Sequence, residues 1–195
     1  MKITPTAIAE EIGVNAASVV DMIKKLKEKE LINYDKSSGA ELTNKGNSIA
    51  LGIIRKHRLW EVFLMEKLEY SWDVVHEIAE QLEHVKHSEL ANRLDKFLGF
   101  PEFDPHGDPI PNAKGEITPI ATILLSELES GQSCQVASIR DTSALFLQYL
   151  EQLTITIGTK IKVLEIIPFD ESMVILIDGI QRTVSKKLAN NLMVH

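Results

Sequence analysis

Five of the chain's seven prolines fall in one stretch, "PEFDPHGDPIPNAKGEITPI", residues 101–120. Proline fixes φ and lacks an amide hydrogen, so neither a helix nor a central strand runs through such a segment. It reads as a stiff, helix-free connector and marks a domain boundary. The hydrophobic period changes across it. Before it, apolar residues recur at the three- and four-residue spacing of helices. After it, "SCQVASI", "KIKVLEIIP", "MVILIDG" and "RTVS" are short β-rich runs broken at "DE" and "DG". The helical run "TSALFLQYLEQL" lies between the first two. The spacing predicts about five short strands in roughly 65 residues, a small closed barrel.

Residues 4–46, "TPTAIAEE" to "LTNKG", read as a helix-turn-helix with a wing. Thr4 or Thr6 can cap a short helix with Ala7, Ile8 and Ile12 on its apolar side. Gly13 ends it and permits a sharp turn, and Asn15 caps a second helix running to about Glu30. Val19, Met22, Ile23 and Leu26 form that helix's expected buried stripe. "LINYD" and "GAELTNKG" flank the tip "KSSG" as a hairpin. Two helices and a hairpin also suit a protein-interaction module. The short turn, the Asn cap and the lysine-bearing tip favour a winged reader whose second helix enters the major groove. Candidate DNA contacts are Asn15, Ala17, Ser18, Lys24 and Lys25 on that helix. On the wing they are Tyr34, Lys36, Ser37 and Ser38.

Charge supports the division. The chain carries a net charge of −7, which alone argues against nucleic acid. Residues 1–58 nevertheless hold ten Lys/Arg against seven Asp/Glu, a balance of +3, and residues 59–195 carry −10. With 44% hydrophobic and 25% charged residues, the composition is that of a globular protein. No apolar run approaches the roughly 20 residues of a membrane span. The N-terminus has no apolar signal core, and the lone Cys134 forms no internal disulfide, so a cytoplasmic setting is expected.

Between head and connector, a long helix is expected from about Thr43 to Leu68, carrying His57 and Glu61 one turn apart. A second, "VHEIAEQLEHVKH" (75–87), carries His76, Glu80, Glu83 and His84 within an arc of about 100°. Val75, Ile78, Ala79, Leu82 and Val85 take the opposite flank. Ser88 is expected to cap a further helix, "ELANRLDKFLGF". If the two histidine-bearing helices lie side by side, six nitrogen and oxygen donors converge. Such a set suits manganese(II), iron(II) or zinc, with no thiolate to favour softer metals. The plain alternative is a solvated face, and the enzymatic one a dinuclear hydrolase. No nucleophile or oxyanion pattern accompanies the cluster, and a hydrolase leaves the DNA-reading head unexplained.

"TAIAEEIGVNAASVVDMIKKLKEKELI", "LTNKG", "IRKHRLWEVFL", "VHEIAEQLEHV" and "DPHGDPIP" follow one another as in the diphtheria-toxin-repressor family of metal-dependent transcriptional regulators, which the chain resembles over nearly its whole length. The resemblance implies a mainly α protein with a small β domain. Its parts would be a winged helix-turn-helix (1–54), a helical metal-binding and dimerisation domain (55–119) and an SH3-like, FeoA-like barrel (120–195). It implies a homodimeric repressor that binds operator DNA when loaded with Mn2+ or Fe2+, and no membrane partner. Glu80, Glu83 and His84 resemble the primary metal site, and His57, Glu61 and His76 the ancillary set. Iron-type members carry Cys where this chain has Glu80, and the harder oxygen favours manganese. Trp60, Phe63, Leu64 and Trp72 are candidate dimer contacts. Cys134, Asp141 and Glu151 are within reach of an ancillary site, or are ordinary surface. Family members carry a further helix before the position of "TPTAIAEE". Its metal ligands have no match here: either the start is misassigned, or the chain is truncated and its primary shell incomplete.

Overall fold

The structure is a computed structural model that describes residues 2–87 and 89–195. Ser88, the expected helix cap, lies outside the described residues. The chain forms two compact units, one ending at Ile54 and one running Arg55–His195.

In the first unit, α1 (Pro5–Glu11) starts at Thr4, whose Oγ1 accepts from the Ala7 amide at 3.2 Å. Gly13 sits at φ +65° and turns the chain. Asn15 Oδ1 accepts from the Ser18 amide at 2.8 Å and caps α2 (Ala16–Glu28). That helix stops before Glu30, which takes φ +59° while the Leu31 amide returns to the Leu26 carbonyl. β1 (Ile32–Asp35) and β2 (Gly39–Leu42) form the expected antiparallel hairpin. Ala9, Val19, Ile23, Ile32 and Ala40 make the core, with Ile8, Leu26 and Tyr34 packed against it. The expected apolar stripes were too broad. Ala7, Ile12 and Met22 are exposed, because of the two helices only Ala9, Val19 and Ile23 are buried, with Ile8 and Leu26 at the edge of this thin core.

α3 (Asn44–Leu68) begins where Thr43 Oγ1 accepts from the Gly46 amide. It continues through the division at Ile54 into the second unit. There, Leu64 packs on Val75 and Ala79 of α4 (Val75–Leu82), with half-buried Trp60, Ile78 and Leu82. α4 is shorter than expected. The Val85 amide closes back onto the Leu82 carbonyl three residues earlier, tightening the last turn. Glu83 and His84 thus lie in a terminal turn, and 85–87 has no regular structure. α5 (Leu90–Phe97) follows.

The connector contains no helix or strand, only an isolated bridge between Phe103 and Pro109. Beyond it lie β3 (Ile123–Leu124), a single 3₁₀ turn (Leu125–Glu127), β4 (Ser133–Ile139), α6 (Ala144–Gln152) and β5 (Lys160–Ile166). Then come β6 (Met173–Ile177), β7 (Ile180–Val184), α7 (Lys186–Ala189) and β8 (Leu192–Val194). The strands form one antiparallel sheet in the order β3-β8-β4-β5-β6-β7. It has six strands where five were expected. No β3–β7 ladder closes it among the described residues, so the curvature rests on register shifts in β4 and β5 and on the packed interior. Val136, Ile161, Val163, Met173, Ile175 and Leu192 are among the side chains inside, and Trp72 joins them. Trp72 and Leu64, expected at a dimer interface, are 8% and 2% exposed and belong to this unit's own interior. The fold is mainly α with a small β domain. Among the described residues, no helix is long and apolar enough to cross a membrane.

Candidate metal centre

The second half of α3 turns a polar stripe inward. Arg55 is 7% exposed and donates to Asn92 Oδ1 at 2.8 Å and Asp95 Oδ2 at 2.7 Å, clamping α3 to α5. One turn on, Arg58 meets Asp104 Oδ2 at 3.3 Å and Asp108 Oδ2 at 3.0 Å. Glu61, one turn further, is 2% exposed. A buried carboxylate is tolerated only when its charge is met. Three imidazoles meet this one.

Glu61 Oε1 lies 3.0 Å from His57 Nε2 and 3.0 Å from His76 Nδ1, and those two nitrogens are 3.1 Å apart. His106 Nδ1 faces the same oxygen at 3.8 Å. On its other edge, His57 Nδ1 meets Glu83 Oε2 at 2.9 Å. Burial opposes the Glu61 charge, but His106, His57 and His76, gathered on its Oε1, outweigh it and hold the carboxyl well below its usual range. Burial likewise disfavours charged His57, yet Glu61 and Glu83 together raise its pKa. Asp104 meets the Arg58 guanidinium at 3.3 Å but is crowded by like charge. Burial and the charges of Glu61 and Asp108 push it up to about 7.

Three donors with edges of 3.0–3.1 Å match one face of an octahedron with metal–ligand bonds of about 2.1–2.2 Å. The donor chemistry, two imidazoles and a carboxylate, is that of the facial sets that hold divalent first-row metals with positions left open. The Glu83 carboxylate on the far nitrogen of His57 is the support that orients a ligating imidazole. On both grounds the residues fit a divalent ion.

Of the six expected ligands, the structure gathers His57, Glu61 and His76, with Glu83 beside them. Glu80 and His84 are exposed, and neither makes a side-chain hydrogen bond among the described residues. Asp104 and His106 were missed as neighbours of this cluster. Their only signal was "DPHGD", an imidazole between two carboxylates in a turn with a glycine. Cys134 is half-buried in β4, and burial pushes its thiol up to about 11. Asp141 accepts from the Ser143 amide at 3.0 Å beside α6, and Glu151 is exposed on α6. None of these three belongs to the histidine–carboxylate groupings.

The DNA candidates lie in the first unit. Asn15 is spent on its cap. Ala17, Ser18, Lys24 and Lys25 are exposed, and Lys24 pairs with Asp21 at 3.1 Å. Tyr34 packs on the core and Lys36 is exposed. Asp35 accepts from the Ser37 hydroxyl and amide and from the Ser38 amide, shaping the wing tip; the Ser37 bonds hold its carboxyl below the usual range. Ser38 also accepts from Lys2 at 3.2 Å.

Comparison with known proteins places this geometry in a family. Residues 1–40 match the N-terminal DNA-binding domain of iron-dependent repressors, 43–112 their metal-binding and dimerisation domain, and 123–195 the FeoA domain. A solved structure described as a manganese-dependent transcriptional repressor in complex with manganese shares 35% identity and a TM-score of 0.91, covering 100% of this chain and 91% of that one. The iron-dependent repressor IdeR of Mycobacterium bovis is 34% identical over 104 residues, 53% of this chain and 45% of that protein. A probable metal transport system membrane protein of Chlamydia trachomatis is 43% identical over 70 residues, 36% of this chain and 16% of that protein. The match thus spans less than half the length of either curated relative. The chain belongs to the diphtheria-toxin-repressor family of metal-dependent transcriptional regulators.

Proposed function

We propose that the protein is a metal-gated, DNA-binding transcriptional repressor that controls metal-ion uptake, responds to Mn2+, and works in the cytoplasm as a homodimer on operator DNA. The observation that carries this is the triangle of Glu61 Oε1, His57 Nε2 and His76 Nδ1, with edges of 3.0–3.1 Å. Three working parts follow: 1–54 for DNA, 55–119 for metal and dimerisation, and 120–195 as the FeoA-like part. A bound divalent ion supplies positive charge to a cluster rich in carboxylates. His57, Glu61 and His76 hold it, and Glu83 keeps the His57 ring turned toward it. Glu80 and His84, with Glu83, are assigned to a second ligand set on the polar arc of α4 and its last turn. Trp60, Phe63 and Phe97 are the dimer contacts; Phe97 is 65% exposed and its ring lies 6.1 Å from that of Phe63.

Manganese over iron is supported by Glu80, a hard oxygen where iron-type members carry Cys; the triangle's own donor set suits either metal. The relatives' names include both metals, so Fe2+ is the second reading. On the DNA side, α2 would enter the major groove, with Ala17 and Ser18 near base edges and Lys24, Lys25 and Lys36 on phosphates. Coupling between metal and DNA is reciprocal, so operator DNA tightens metal binding by the factor that metal tightens DNA binding.

Selection from a random duplex pool tests this reading. With MnCl2 present, palindromic sequences should be enriched. With chelator they should not. Enrichment of the same sequences in both arms would overturn metal gating.

A further inference from the structure

The connector passes the metal centre as a hook. Asp104 Oδ1 accepts from the amides of His106 at 2.8 Å and Asp108 at 3.0 Å, and Oδ2 meets Arg58. Glu61, Asp104 and His106 offer donor atoms all within 4.8 Å of one another. Both Asp104 oxygens are already engaged, and a guanidinium meets its charge. This trio therefore does not invite an ion of its own.

His106 is left to explain. It is 1% exposed, and its ring stacks on Trp72 at 16° with centroids 6.4 Å apart. Nε2 donates to the Trp72 carbonyl at 3.1 Å, which fixes the ring's orientation. Nδ1 thereby faces Glu61 Oε1, the same oxygen that meets His57 and His76, at 3.8 Å, an ion-pair distance longer than a hydrogen bond. The backbone of the hook also bonds to the sheet. The His106 carbonyl accepts from the Ile139 amide of β4 at 3.0 Å. Gly107, at φ +85°, lies so close that a Cβ there would come within 2.0 Å of the Ala137 carbonyl oxygen.

We propose that His106 is a positioning residue for the metal centre: its ring holds the Glu61 carboxylate toward His57 and His76, and its backbone ties that carboxylate to β4 of the six-stranded sheet. This rests on the metal reading above. Loading of the centre then steadies β4, and loss of the ring loosens the centre without removing a ligand.

The test uses the full chain, stripped by chelator and titrated with MnCl2, with free Mn2+ read by electron paramagnetic resonance. His106→Phe keeps the ring volume and the stack on Trp72 but removes both nitrogens. His106→Asn places an amide near Nδ1, and His106→Gln places one near Nε2. The Phe and Gln variants should bind Mn2+ about tenfold to a hundredfold more weakly, and Asn should recover most of the loss. Amide exchange at Ile139 should slow on adding MnCl2 to the wild type and stay unchanged in His106→Phe. If the Phe variant does not fold, the Asn–Gln pair decides. Equal affinity in all variants, or rescue by Gln and not Asn, would overturn the positioning role while leaving the metal centre intact. Failure of the wild type to retain Mn2+ would overturn the metal reading itself, and this inference with it.

Discussion

The two halves of α3 sit in opposite electrostatic worlds. In the unit ending at Ile54, where the helix starts, charges are exposed and loosely paired: Lys24 and Asp21 of α2 are 67% and 70% exposed, and Lys45 of α3 and Glu30 are 59% and 84%. From Arg55 onward the same helix carries Arg55, Arg58 and Glu61 into the interior, each matched to partners from other segments. Exposed pairs contribute little to stability and leave lysines free for phosphates. Buried ones are costly to break and hold donor atoms in place. One end of the helix suits a surface that meets a polyanion. The other suits a centre that must be built before an ion arrives.

The sharpest way to break this contrast is Asp95→Ala. It strands a buried Arg55 and should lower stability by about 3–5 kcal/mol in urea unfolding, whereas Asp21→Ala, on the exposed side, should change it by less than about 0.5 kcal/mol. Next comes Gly107→Ala. Strain at positive φ alone is worth about 1–3 kcal/mol, and the Cβ meets the Ala137 carbonyl oxygen, so the thermal midpoint of the second unit should fall. In the first unit, Asn15→Ala removes a helix cap and should lower stability by about 1 kcal/mol, read by circular dichroism.

Least in size, but opposite in sign between apo and loaded protein, is the response to pH. His57 has a folded pKa above its ordinary 6.5, so its contribution is complete below 6.5 and is lost as pH rises through the raised value. Asp104, raised from 3.8 to about 7, also lowers stability as pH climbs through that window. The chelator-treated chain should therefore show a lower urea midpoint at pH 8 than at pH 6. Mn2+ affinity should move the other way, because a ligating imidazole must be neutral. Asp35 in the wing, held below its ordinary value, keeps its contribution above the usual carboxylate range, so it adds no pH response near neutrality.

What was legible beforehand divides along the same line. Thr4, Gly13 and Asn15 act on neighbours within three residues, so caps and turns were readable one by one. The polar arc of α4 was readable from period alone, and His57, Glu61 and His76 do meet. The early stop at Leu82 was not, because no proline or glycine marks it and the turn is closed by a backbone bond. β3 and β8 were missed as runs of two and three residues, too short to show alternation. His106 was out of reach for another reason. Its partner Trp72 is 34 residues away, and nothing local in a proline-rich turn says that its ring is buried against a histidine–carboxylate cluster.

The claim on which the rest depends is that Glu61, His57 and His76 together hold a divalent cation. Equilibrium titration of MnCl2 into chelator-stripped wild type and Glu61→Gln decides it most directly. Glutamine keeps the size and loses the charge at the one oxygen shared by both imidazoles. The account predicts saturable binding by the wild type and affinity weakened at least about a hundredfold in the variant. Equal binding by the two proteins would contradict it.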